Sequence, residues 1–118
     1  MRGECHVDFV IQLLSGSRKS LTIHAPGVEG YVIGRGDEIL DYKPDLDMTS
    51  WGARDQGVSR RHAALVMFNN ALHVIDLGSV NGTHVNGSRL VPHTPYPVHA
   101  GDELRFGHLA VMVLQPKD

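Results

Sequence analysis

Cysteine is nearly absent from the 118-residue chain. Cys5 stands alone, which excludes the disulfide framework of a small secreted scaffold. Aromatic residues are sparse at 6%, yet hydrophobic residues reach an ordinary 42%, so disordered and collagen-like chains are excluded too. Positive charge is not in excess. Eleven Lys+Arg against 13 Asp+Glu give a net charge of −2, without the basic footprint that nucleic-acid affinity requires. Long apolar runs are missing: the longest, Ala63–Phe68 and Leu109–Leu114, have six residues each, against roughly 20 for a membrane-spanning helix. Arg2 precedes Val7, Phe9, Val10 and Ile11 as in an export signal. However, Asp8 and Gln12 interrupt that stretch and no small-residue cleavage site follows it. A reducing cytoplasmic setting is therefore the expectation. The eight histidines are scattered, no pair of them has zinc-ligand spacing, and neither a metal nor a cofactor is expected.

What is present is a succession of short alternating segments between turn residues, with nothing reading as a long helix. Val7, Phe9, Ile11 and Leu13 share one face of a first strand closed by Ser15-Gly16-Ser17. Leu21 and Ile23 mark a second, ended by Ala25-Pro26-Gly27, and Tyr31-Val32-Ile33 a third that runs into Gly34-Arg35-Gly36. A short fourth is predicted within Leu46 to Thr49. Ala63–Phe68 and Leu72–Leu77 flank Asn69-Asn70-Ala71 as a hairpin. Thr83-His84-Val85 lies between two Asn-Gly turns, and Leu104-Arg105-Phe106 pairs with Leu109–Leu114 around Gly107-His108. Ten or eleven short strands predict an all-β sandwich or barrel. No linker or repeat divides the chain. One domain over residues 1–118, with a core of about 7–115, is expected, large enough to bury about 65% of the surface of its unfolded chain.

Asp37, Glu38, Asp41, Asp45 and Asp47 face only Lys43 in one acidic stretch. Their spacing does not match a calcium loop, so a solvated loop is expected. Three turn-rich segments carry the chemistry: Gly34-Arg35, Gly57-Val58-Ser59-Arg60-Arg61-His62, and Asp76 to Thr83 leading on to Asn86-Gly87. Each sits at a strand end, so in a sandwich they can meet at one pole. Arg35, Arg60 and Arg61 supply guanidinium forks that match a tetrahedral oxyanion, and Ser59 adds a hydroxyl. A local anion site on a mildly acidic domain suits a phosphorylated protein, because phosphate brings about −1.5 to −2 of charge and several acceptor oxygens.

Gly34-Arg35, Ser59-Arg60-Arg61-His62, Asn81-Gly82-Thr83 and Val85-Asn86-Gly87, in that order, resemble the forkhead-associated (FHA) domain. Asp102 to Gly107 is similar to the family's late strand. The resemblance covers about residues 7 to 115 and implies a SMAD/FHA-like sandwich of about eleven strands, with ligand loops at one pole that bind a phosphothreonine peptide. By position, Arg35 would pair with phosphate oxygens, Ser59 would donate its hydroxyl, and Arg60 would add a charged or backbone contact. Asn81 would bond the peptide main chain just past the phosphothreonine, with Val80 lining the surface beside it. Gly34 and His62 would be structural, the glycine permitting the turn and the histidine bracing the loop. Gly82, Thr83 and Asn86 would shape turns. Whether Arg61 faces ligand or solvent is open. The implied partner is a phosphothreonine-containing protein in serine/threonine-kinase signalling, read without catalysis; the oligomeric state is open, with a monomer as the default expectation. Trp51 is expected to pack, and the acidic segment to disfavour acidic residues beside the phosphothreonine.

Two other classes compete. A hydrolase could use Ser59 or Ser79 with His62 and Asp76, but neither serine lies in a Gly-x-Ser-x-Gly elbow. The more serious alternative is the same fold used for phosphate-independent assembly or dimerisation through a sheet face. Asn81-Gly82-Thr83 and Asn86-Gly87-Ser88 match the glycosylation sequon but read as turns.

Overall fold

Alternation becomes a strand wherever turn residues interrupt it. In chain order the strands are β1 (Phe9–Leu13), β2 (Ser20–Ile23), β3 (Tyr31–Gly34), β4 (Leu46–Asp47), β5 (Ala63–Phe68), β6 (Ala71–Asp76), β7 (Thr83–Val85), β8 (Ser88–Arg89), β9 (Tyr96–Pro97), β10 (Glu103–Phe106) and β11 (Leu109–Leu114). The structure, a computed structural model, describes residues 8–14, 19–24 and 30–115. Val7 and the turns expected at Ser15-Gly16-Ser17 and Ala25-Pro26-Gly27 lie outside the described residues.

The strands form two sheets, one ordered β2-β1-β11-β10-β7-β8 and the other β4-β3-β5-β6-β9. Every pairing is antiparallel except β3 with β4, where Ile33 lies opposite Leu46 and Gly34 opposite Asp47. The expected sandwich of about eleven strands is the fold that forms. Its core is the sum of the inward faces: Phe9, Ile11 and Leu13 from β1, Val111 and Val113 from β11, and Ile33, Leu65, Leu72 and Val74 from the second sheet, all in one buried cluster. Trp51 packs half-buried against that cluster. No helix among the described residues is long and apolar enough to cross a membrane.

Boundaries moved where local geometry outweighed pattern. Asn69 and Asn70 both adopt left-handed backbone (φ 53° and 61°), the requirement of a two-residue hairpin turn, so Ala71 already belongs to β6. The fourth strand ends at Asp47 because Thr49–Trp51 turns as a short 3₁₀ segment. β8 and β9 escape sequence reading because two residues hold no period. Pro97 is tolerated in β9 because that strand is an edge.

Phe106, fully buried, meets His62 edge-on with ring centroids 5.7 Å apart, so it joins the core to the loop pole. Replacing Phe106 with Ala should destabilise the domain by about 3–5 kcal/mol. Urea unfolding checks this, and a change in midpoint too small to resolve would contradict the packing described.

Candidate functional site

Period-two alternation carries Leu72, Val74 and Asp76 onto the same inward face of β6. Asp76 is the last of the three and lies where the sheets open toward the loops. It is only 2% exposed, so its carboxylate must find donors within the protein. The Ser79 hydroxyl (2.6 Å) and the Thr83 hydroxyl (2.6 Å) donate to Oδ1, while the Gly78 and Ser79 amides (3.0 and 3.2 Å) donate to Oδ2. Thr83 opens β7 in the opposite sheet, so this carboxylate ties the two sheets together at the pole. Burial opposes its charge, but the bonds from Ser79, Thr83 and Gly78 hold its carboxyl below the ordinary aspartate value.

His62 makes the second tie. Its Nδ1 accepts the Ser59 amide (3.0 Å) and its Nε2–H donates to the Gly82 carbonyl (2.8 Å). One nitrogen accepts and the other donates, so the ring is neutral and its tautomer is set. Burial holds His62 below the ordinary imidazole value, against the Gly82 bond and the nearby Asp76 charge, which both favour protonation. With both nitrogens occupied by backbone partners, His62 is not placed to take a proton from the Ser59 hydroxyl. The Ser79 hydroxyl, for its part, is directed at Asp76.

The braced loops enclose an open cleft of about 540 Å³ lined by Arg35, Leu40, Tyr42, Ser59, Arg60, Arg61, Gly78 and Val80. Arg35 donates its Nε–H to the Val58 carbonyl (2.9 Å), which holds the half-buried fork in place and leaves both terminal nitrogens without a protein partner among the described residues. Ser59 accepts the Val80 amide at its hydroxyl oxygen (3.2 Å), and its own proton remains to donate. Arg60 is paired with Asp37 (3.3 Å). Arg61 is exposed and lines the cleft. No carboxylate lines it.

Arg35, Ser59, Arg60, Arg61 and Val80 therefore come together in one cleft. Asn81 lies at its margin: its amide donates to the Gly57 carbonyl (2.9 Å) and couples two of the loops, while its carboxamide oxygen accepts nothing among the described residues. Asn86 turns with φ 50° and bonds Asp102 and the Glu103 amide (3.1 and 2.9 Å), away from the cleft. Gly82, with φ 88°, presents its carbonyl to His62.

Two readings need correction. Gly34 was expected to permit a turn, but it is the last residue of β3 and does not have positive φ. The need is for space, since a Cβ there would overlap the Arg60 carbonyl oxygen. Nor is the acidic stretch simply solvated. Asp45 accepts the Val32 amide (2.9 Å), Asp47 accepts the Gly36 and Thr49 amides (both 3.0 Å), and Asp37 accepts the Ile39 and Leu40 amides (3.0 and 3.2 Å). These three carboxylates shape the loop, and only Glu38 and Asp41 are exposed without such bonds among the described residues. Sequence reasoning missed the structural office of Asp76 and the cleft positions of Leu40, Tyr42 and Gly78. For Asp76 a signal existed, because it continues the inward register of Leu72 and Val74.

Two outcomes follow from this geometry. Gly34→Ala should lower stability and disorder the Arg60 backbone together, seen as a lower urea midpoint with shifted amide resonances at Ser59 and Arg60. Stability should also fall with acid in two stages. His62 titrates lower in the fold than when unfolded, so its contribution is complete above about pH 6.5 and is lost as pH falls below that. The lowered carboxyl of Asp76 adds a loss below about pH 4. Unfolding free energy that stays flat from pH 7 to pH 5 would contradict the neutral, buried His62.

Comparison with known proteins places this architecture. The FHA domain family model matches residues 31–107. The glycogen accumulation regulator GarA of Mycobacterium tuberculosis is 30% identical over 123 residues, covering 91% of this chain and 74% of that protein. A protein phosphatase 1 regulatory inhibitor subunit homologue of Arabidopsis thaliana is 39% identical over 77 residues, covering 64% of this chain but 18% of that protein, so the chain spans about a fifth of the plant relative's length. A solved FHA domain characterised for phosphothreonine-dependent interactions superposes with a TM-score of 0.71 at 27% identity, covering 94% of this chain and 99% of that one. With its two-sheet sandwich and its loops braced by Asp76 and His62, this chain belongs to the FHA domain family.

Proposed function

We propose that the domain binds phosphothreonine in a peptide segment of a partner protein, and so brings whatever it is attached to onto a target of serine/threonine-kinase signalling. The observation that carries this reading is the composition of the cleft. Three arginines and a serine line it and no acidic residue does, on a chain whose net charge is −2; the acids Asp37, Glu38, Asp41 and Asp47 line an adjoining cavity that shares Arg35 and Tyr42. Arg35 takes phosphate oxygens with its two free nitrogens, Ser59 donates its hydroxyl proton, and Arg60 and Arg61 supply further charge. Asn81 holds the peptide main chain after the phosphothreonine, and Val80 offers an apolar surface to the threonine methyl. No step of this requires catalysis or a cofactor, and the proposed setting is the cytoplasm.

The mechanism is electrostatic and pre-organised. Strand ends fix the donors before the ligand arrives, so little side-chain freedom is lost on binding. The threonine methyl adds only a modest preference over phosphoserine, because one methyl group is worth roughly 1–3 kcal/mol in a pocket.

Arg35→Ala should cost about 2–5 kcal/mol, part of it the unpaired phosphate charge. That corresponds to a loss of roughly thirty- to several-thousand-fold in affinity. Titration of a phosphothreonine peptide library, with phosphoserine and unphosphorylated copies alongside, measures it. Capture by the folded domain that ignores phosphorylation, or that survives the Arg35 change, would instead favour assembly through a sheet face.

A further inference from the structure

Apolar side chains left in water are expensive, and this domain gathers several at the pole where it gathers its cations. Ile39 is 94% exposed, Leu40 59% and Val80 83%. The other large exposed hydrophobics among the described residues, Leu14, Phe68 and Val91, do not line the cleft. Leu40 and Val80 do, one from each of two loops.

The loop that carries Ile39 and Leu40 is not free to fold them away. Asp37 and Tyr42 exchange backbone hydrogen bonds (2.8 and 2.9 Å) that close it, and Asp41 takes left-handed backbone to do so (φ 51°). Asp37 Oδ1 accepts both the Ile39 and Leu40 amides, while Oδ2 accepts Arg60. One carboxylate thus fixes the position of the apolar tip relative to a cation of the cleft.

From this arrangement we infer that Leu40, with Tyr42 lining the same cleft, forms a subsite for an aliphatic side chain of the phosphothreonine peptide, within about three residues on its N-terminal side. The inference rests on the phosphothreonine reading. The direction follows from Asn81, which is coupled to Gly57 and stands outside the cleft lining. A peptide that lays its main chain on Asn81 after the phosphothreonine leaves the preceding residues to the side walled by Leu40 and Tyr42. The occupant is aliphatic because the exposed side chain at the tip of the wall, Leu40, is aliphatic, and because exposed Glu38 and Asp41 flank that tip and disfavour an acidic side chain there.

The test is fluorescence anisotropy with phosphothreonine peptides that carry alanine elsewhere, a single leucine being walked from three residues before to three after the phosphothreonine. Burying a leucine against a partly open wall should raise affinity about tenfold over the all-alanine peptide at one N-terminal position. In Leu40→Ser that ratio should collapse toward one, and in Leu40→Met most of it should return. A ratio near one at every N-terminal position, a preference only after the phosphothreonine, or a ratio untouched by Leu40→Ser would each overturn the subsite while leaving phosphothreonine binding intact. Failure of every phosphothreonine peptide to bind the folded domain would overturn the phosphothreonine reading itself, and the subsite with it.

Discussion

A carboxylate cannot sit in an apolar interior without donors, and the burial of Asp76 sets the terms for everything at the loop pole. Its partners come from the eight residues Asp76 to Thr83, two of them amides and two hydroxyls. To deliver all of them, the chain after β6 must fold back at Gly78 and Ser79 and then rise into β7. The path that satisfies the carboxylate is the path that leaves Val80 outward, gives its amide to Ser59 and aims the Gly82 carbonyl at His62. Breaking one member of such a buried set leaves the others unpaired, which costs far more than any single bond contributes. The loop is therefore as determined as a strand, although it has no ladder of its own.

His62 extends the same logic to the neighbouring loop. It reaches the Ser59 amide with one nitrogen and Gly82 with the other, so the two segments that line the cleft are held by a single neutral ring. Phe106 against the edge of that ring lets the hydrophobic core resist its displacement. Stability and site geometry are one property here, because the same ring that completes the core also positions Ser59.

Much of this was legible before any coordinates. The sandwich followed from alternation broken by turns, since period two needs only the order of apolar and polar residues. Arg35, Ser59, Arg60 and Val80 of the cleft followed from the ordered Gly-Arg, Ser-x-x-His and Asn-Gly-Thr segments, which only a fold can bring together, whereas Leu40, Tyr42 and Gly78 did not. What escaped was set by contacts that no local pattern encodes. Gly34 is required by the nearness of the Arg60 carbonyl in the loop that leads into β5. The two-residue strands β8 and β9 owe their conformation to neighbours rather than to their own side chains. The shaping role of the acidic stretch escaped because composition counts charges without showing which amides they face. Asp45 and Asp47 each face backbone amides.

Asp37 shows how an acid can stand beside a cationic cleft. If that cleft takes phosphate as proposed, a carboxylate there should be harmful, since it competes for the same guanidinium groups and repels the ligand. Here it lies outside the lining of the cleft and turns its two oxygens to different tasks, one capping the loop tip and the other meeting Arg60. Bonds from the Leu40 amide, aided by Ile39 and by Arg60, hold its carboxyl below the usual aspartate range, so the charge persists at any pH at which phosphate is a dianion. An exposed ion pair of this kind contributes little to folding. Its consequence is positional: it restricts where the Arg60 fork can point while leaving part of that fork open. Arg35 is restrained by a neutral carbonyl and Arg60 by a charge, so two forks at one cleft are held with different strengths. The more weakly competed Arg35 is thus the fork on which the phosphate of the proposed ligand would draw most fully.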